Sequence, residues 1–282
     1  MLKALRVRGF AAVPYLEDSA LMRSRAGTLT FSLERPNVVV GPNGSGKSAL
    51  ITALAIRYLT YFSDRSAFDR KYLLDVEART WWSRGGTRGE EFVWLAGFDC
   101  ETDNAPALYY RPGHVPGNEP TIADAMMGVY WEQAKAYARL VERKSAGEQN
   151  QAVLDSLLDA IDGRDLPKEY AYMNWEFGPS PADARRRHDL EDPPDMMPKA
   201  RALEAALRPA RGGVPLILMD EPEQSLDALA EARIWAHVAR SDCRSVQMII
   251  ATHSLYPMMH RDRFHLIETQ PGYVDDVLGL LG

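Results

Sequence analysis

Val38-Val39-Val40-Gly41-Pro42-Asn43-Gly44-Ser45-Gly46-Lys47-Ser48, followed by Ala49-Leu50-Ile51-Thr52-Ala53-Leu54, is the stretch whose reading decides the fold. An apolar run, a glycine-rich loop and a helical pattern in that order spell strand, loop, helix. The residue types suit the cradling of phosphate. Glycines let successive backbone N–H groups turn inward, the helix N-terminus adds positive potential, a lysine at the loop's end reaches the outer phosphates, and a hydroxyl beside it can ligate Mg2+. Asn43, Gly44, Ser45, Gly46, Lys47 and Ser48 are therefore the candidate phosphate-binding residues, and a nucleoside triphosphate is the implied ligand. A glycine turn matching by chance is the bland alternative, and a strand before with a helix after argues against it.

A second element lies far downstream. Val214-Pro215-Leu216-Ile217-Leu218-Met219 is a continuous apolar run, the pattern of a parallel strand buried on both faces, and it ends in Asp220-Glu221-Pro222-Glu223. A carboxylate at such a strand end can hold the Mg2+ shell, and the next can orient or deprotonate an attacking water. Asp220, with Ser48, is the candidate metal ligand and Glu221 the candidate base. Gln224-Ser225-Leu226-Asp227, a helical stretch and another apolar run, Met248-Ile249-Ile250-Ala251, then close on Thr252-His253-Ser254. Taken alone His253 reads as an ordinary strand-end residue; after the other motifs it stands where a γ-phosphate sensor belongs.

In this order the motifs resemble those of an ATP-binding-cassette (ABC) ATPase: Walker A at 41–48, Walker B with its glutamate at 216–221, a D-loop at 225–227 and an H-switch at 253. Asp-Glu-Pro-Glu and Ala-Thr-His-Ser look like the soluble branch that includes the SMC, RecF and OLD-type ATPases, as does the opening Leu2-Lys3-Ala4-Leu5-Arg6-Val7-Arg8-Gly9-Phe10. The resemblance implies an α/β P-loop NTPase head with a mixed central sheet, a β-hairpin region and a helical subdomain. It also implies ATP and Mg2+ as ligands, and hydrolysis of ATP to ADP and phosphate. Two chains would pair head to tail, each capping the other's nucleotide with a signature loop and reaching across with Asp227. For that signature, Ser145-Ala146-Gly147-Glu148-Gln149 supplies Ser145 and Gly147 at the head of a helical pattern, but lies far upstream of Asp220 for the family. Asp195-Met196-Met197-Pro198-Lys199 has the family's spacing and neither serine nor glycine. The first placement is preferred, with residues 163–197 as an insertion. The glutamine that lines the Mg2+ site in many members has no clear counterpart, and the strand end near 99–101 lies in the expected region.

Residues 1–111 read as a nucleotide lobe, with 81–111 as its β-hairpin region, because Phe92, Trp94, Ala96 and Phe98 alternate and Leu108-Tyr109-Tyr110 begins another strand after a turn-rich 99–106. Residues 112–162 read as a helical subdomain, with Val153, Leu154, Leu157, Leu158 and Ile161 on one apolar face of its last helix. Five prolines and Arg185-Arg186-Arg187-His188 make 178–198 an irregular loop, a solvated charge run more than a phosphate contact. Residues 198–282 return to the nucleotide lobe, with a last strand over 264–268 and a short helix over 274–281. The whole is read as a single domain.

Composition bounds the function. The 282 residues are 46% hydrophobic, enough for a full core. Two cysteines do not make a disulfide framework, and neither an apolar signal core nor a membrane-length apolar run is present, so a cytoplasmic protein without direct membrane insertion is expected. A net charge of -6 does not indicate a nucleic-acid partner, while leaving room for a local basic patch. Coiled-coil heptads are absent between the motifs. Three readings follow: a soluble ATPase controlling a separate effector in a defence, toxin-control or genome-maintenance assembly, the ATP-binding subunit of a membrane transporter, or a stand-alone DNA-repair ATPase. The soluble-type motifs favour the first.

Overall fold

The computed structural model describes residues 1–7, 16, 19–58, 98–103, 105, 107–112, 146–164, 213–224 and 226–282. Along them run β1 (Leu2–Val7), α1 (Ala20–Arg23), β2 (Thr28–Thr30), β3 (Asn37–Val40), α2 (Lys47–Arg57), β4 (Phe98–Thr102), β5 (Ala107–Tyr110), α3 (Ala146–Ile161), β6 (Leu216–Asp220), α4 (Ala228–Val238), β7 (Gln247–Ala251), α5 (Tyr256–Met259), β8 (His265–Glu268) and α6 (Tyr273–Leu281). Five strands form one sheet in the order β5-β6-β7-β3-β8, and every neighbouring pair in it is parallel. Strands β2, β1 and β4 make a separate antiparallel sheet.

The apolar runs read from the sequence are continuous because both faces of the parallel sheet are covered. Side chains alternate between the faces. Val39, Leu216, Leu218, Ile249 and Ala251 pack on one side with α2 residues Leu50, Ile51 and Leu54 and with Leu2, Leu5 and Leu29 of the small sheet. Val38, Val40, Ile217, Met219, Met248 and Ile250 pack on the other with Leu154, Leu157, Leu158 and Ile161 of α3 and Ile234, Trp235 and Val238 of α4. Each such aliphatic side chain contributes about 1.5–3 kcal/mol of burial. Leu154, Leu157, Leu158 and Ile161 of the expected apolar face are thus buried in the core on the α4 side of the sheet, while the side chain of Val153 lies outside the described residues.

Two buried amides fasten the layers. Asn37, at the start of β3, accepts from the Ser32 N–H at 2.6 Å and donates to the carbonyls of Ser32 at 3.0 Å and Met248 at 3.2 Å. Gln247, at the start of β7, accepts from the Leu2 N–H at 2.6 Å and donates to the Leu2 carbonyl at 2.7 Å. This side chain imitates a strand neighbour, so β1 meets the parallel sheet without joining its ladder. A mixed central sheet was expected; among the described strands the central sheet is parallel throughout, and the antiparallel pairing is confined to the small one.

The hairpin expectation also needs correction. Residues 99–102, taken for part of a turn-rich segment, belong with Phe98 to strand β4 and pair with β1, whereas β5 pairs with β6 in the other sheet. These two strands therefore do not form a hairpin. The last strand and last helix appear where expected, as β8 and α6. Residues 81–97, the helical pattern over 121–145, the loop at 178–198 and the alternative signature at 195–199 lie outside the described residues. Among the described residues no helix is long and apolar enough to cross a membrane. Cys243 is buried and Cys100 half-buried, both as thiols.

Candidate functional site

All strands of the large sheet point the same way, so the loops after β3, β6 and β7 emerge at one edge, the place where open parallel sheets bind ligands. The ladder levels their ends: Val39 and Asp220 both stand opposite Ala251. Gly41–Ser48, Glu221 and Thr252-His253 are thereby gathered from three distant parts of the sequence.

The glycine loop is held from beneath by close packing. A Cβ on Gly41 would stand 1.7 Å from Thr269 Oγ1, and one on Gly46 would stand 2.5 Å from Ser19 Cβ. Gly46 also has φ +106, a conformation L side chains rarely adopt. The Ser45 carbonyl accepts from the Leu21 N–H at 3.3 Å, and Thr269 donates its N–H to the Val40 carbonyl at 2.8 Å. Asn43 and Gly44 form the exposed crest of the loop, and Ser45 is buried with an unpartnered hydroxyl. Helix α2 begins at Lys47 with no acidic residue of its own in the first turn, where its backbone N–H groups carry positive potential.

Lys47 is buried, and its Nζ donates to the carbonyls of Gly41 at 2.9 Å and Pro42 at 3.0 Å. Burial pushes this ammonium below its ordinary value, while Glu221, Asp220 and Glu223 hold it up. Asp220 is buried as well. Burial pushes its carboxyl above the usual carboxylate range, against the pull of the Ser48 hydroxyl, which hydrogen-bonds it, and of Arg111. Asp220 Oδ1 has no hydrogen-bond partner. A buried carboxylate oxygen without a donor, beside a serine hydroxyl, fits a hard divalent cation with oxygen ligands, and the expected pair Ser48 and Asp220 is indeed brought together.

Glu221 follows in the left-handed region at φ +50. Its N–H donates to the Ala251 carbonyl at 2.8 Å and its carbonyl accepts from the Gln224 N–H at 2.9 Å, so a tight turn holds the backbone. Glu221 Oε1 lies 3.6 Å from His253 Nε2, placing both candidate catalytic side chains at one opening. Glu223, which sequence reasoning passed over, ties the two loops together. Its Oε1 accepts from the Thr252 hydroxyl at 2.6 Å and from the His253 N–H at 2.9 Å. One step further, the Ser254 hydroxyl donates to Glu231 Oε1 at 2.6 Å, linking the same loop to the first turn of α4.

Asp227 caps that helix. One of its carboxylate oxygens accepts from the N–H groups of Leu229 at 2.9 Å and Ala230 at 2.8 Å, and the side chain is exposed. Gly147 lies in the first turn of α3, and Ser145 lies outside the described residues. On the side of β6 away from β7, the neighbouring strand is β5, not the segment at 99–101, and the residue following it is Arg111. An apolar run ending in a charge was visible at 108–111, but its neighbour in the sheet was not.

No protein-family model matches the chain, and no curated protein matches it. Among solved structures it is similar to a putative ABC transporter ATP-binding protein from Pyrococcus furiosus, at 13% identity and a TM-score of 0.29, over 89% of this chain and 92% of that one. A likeness this loose adds no argument to the geometry.

Proposed function

We propose that this chain binds ATP with Mg2+ and hydrolyses it, as a head of the ABC type. The observation that carries the reading is the meeting, at one sheet edge, of a buried lysine under a glycine loop with the Ser48–Asp220 pair and its unpartnered oxygen. Backbone N–H groups of residues 43–48 and the Lys47 ammonium bind and orient the phosphates. Ser48 and Asp220 would hold Mg2+, which would neutralise charge on the phosphate oxygens. Glu221 accepts a proton from the attacking water as the bond between the terminal phosphorus and its bridging oxygen breaks. His253, 3.6 Å from Glu221, contacts the terminal phosphate, and Glu223 keeps its backbone in place.

The reading extends to a pair of chains joined head to tail through two ATP molecules, with Ser145, Gly147 and Asp227 facing the partner's nucleotide. Exposed apolar side chains that follow closely in the chain on Asp227 and His253 support it. Leu229, in the first turn of α4, is 73% exposed, and Leu255 and Met259, just past the His253 loop, are 40% and 62% exposed. The motifs' resemblance to the soluble branch supports a switch role, in which closure of the pair acts on a separate effector protein in the cytoplasm.

Steady-state phosphate release tests the chemistry. Glu221→Gln keeps the side-chain shape and loses the base, so turnover falls by about 10²–10⁴-fold while ATP still binds. Undiminished turnover in that variant would move the catalytic role to another residue.

A further inference from the structure

We propose that Arg111 is a second protein cation of the phosphate site, contacting the terminal phosphate of a nucleotide bound to its own chain; this rests on the ATP reading above. Strand β5 runs parallel to β6 with Tyr110 opposite Met219, so the next residue on each strand brings Arg111 level with Asp220. Arg111 Nε lies 3.8 Å from Asp220 Oδ2, with the arginine side chain 49% exposed and the carboxylate 2%. A half-exposed cation thus stands level with, and close to, the buried carboxylate of the site. At 3.8 Å the contact is longer than a hydrogen bond, so Asp220 is approached and not clamped.

Charge gives this position its consequence. Asp220, Glu221 and Glu223 all act on Lys47, so three carboxylates face one lysine at the point where a polyanion must enter. Arg111 supplies the missing positive charge from the side of Asp220 away from the glycine loop's own strand, and its pull on Asp220 is felt in the same cluster. A guanidinium stays protonated even when partly buried and offers a planar fork suited to phosphate oxygens. Glu221, the neighbour of Asp220, faces the terminal phosphate in the proposed reaction, so a cation level with Asp220 addresses that end of the nucleotide. Arg111 therefore favours ATP over ADP, and does so without depending on the divalent ion.

Equilibrium titration of the full chain with ribose-labelled fluorescent ATP and ADP, in Mg2+ and again in EDTA, tests this. In Arg111→Gln, ATP binding weakens about tenfold to a hundredfold and ADP binding changes far less, in both media. Arg111→Lys, which keeps the charge, retains part of the preference, and it decides the matter should the glutamine variant not keep the wild-type unfolding midpoint. Equal weakening of ATP and ADP, no change in either, or tighter ATP binding in Mg2+ would reduce Arg111 to a counter-ion of Asp220 and overturn the proposal. Wild-type protein that binds neither nucleotide overturns the ATP reading itself. Wild-type binding that Lys47→Ala abolishes, with the ATP preference intact in Arg111→Gln, overturns the role of Arg111 alone.

Discussion

At the scale of single residues, Glu221 holds a backbone conformation that costs a non-glycine residue roughly 1–2 kcal/mol. Its φ of +50 is imposed by hydrogen bonds on both sides, to the Ala251 carbonyl and from the Gln224 N–H. The strain sits at the side chain proposed to take the proton, and relieving it separates stability from activity. Glu221→Gly should unfold at a higher denaturant concentration than Glu221→Ala, by roughly 1–2 kcal/mol, with both lacking turnover. Equal midpoints in urea titrations of the two variants would show that the turn carries no such strain. That Lys47, Ser48, Asp220, Glu221 and His253 would come to one sheet edge was legible from the sequence, because the glycine loop, Asp220-Glu221 and Thr252-His253 each come directly after an apolar run. The conformation of Glu221 was not, since nothing in Asp-Glu-Pro-Glu distinguishes a left-handed glutamate from an extended one. Arg111 was missed for a different reason: its meaning depends on which strand lies beside β6.

Among elements, the turn after β6 and the loop after β7 behave as one piece through Glu223. Two donors, the Thr252 hydroxyl and the His253 N–H, converge on one carboxylate oxygen. Hydrogen bonds to a charged acceptor contribute about 1.5–3 kcal/mol each, more than neutral ones. Glu223→Ala should release the His253 loop, seen as faster amide hydrogen exchange at His253, while the neighbouring ladder amides of β7 keep their protection. Unchanged exchange at His253 would mean that the loop is fixed by other contacts, such as Ser254 with Glu231. Strand β4 shows where sequence reading of elements fails. Asp99 and Glu101 look like turn residues, yet on a strand of a small outer sheet they alternate with Cys100, which packs against the core. By contrast β6 and β7 carry five consecutive buried residues each, and no turn reading competes with such a run.

For the molecule as a whole, the parallel sheet with helices on one face, and α2 with the small sheet on the other, brings three loops of remote sequence to one edge. That fold class was legible from a strand, a glycine loop, a helix and two later apolar runs, because buried parallel strands leave a continuous apolar signature. The order β5-β6-β7-β3-β8 was not, since strand order depends on packing between segments far apart in the chain. Separation of the antiparallel strands into their own sheet was hidden for a related reason: it turns on Gln247 taking up both polar groups of Leu2. The central claim is that this edge binds ATP through Lys47. Equilibrium titration of a fluorescent ATP analogue in the presence of Mg2+ tests it most directly. Saturable binding to the wild-type chain, weakened at least tenfold in Lys47→Ala by the loss of charge-assisted bonds of about 1.5–3 kcal/mol each, is the result this account predicts; wild-type affinity in Lys47→Ala, or no binding to either protein, would contradict it.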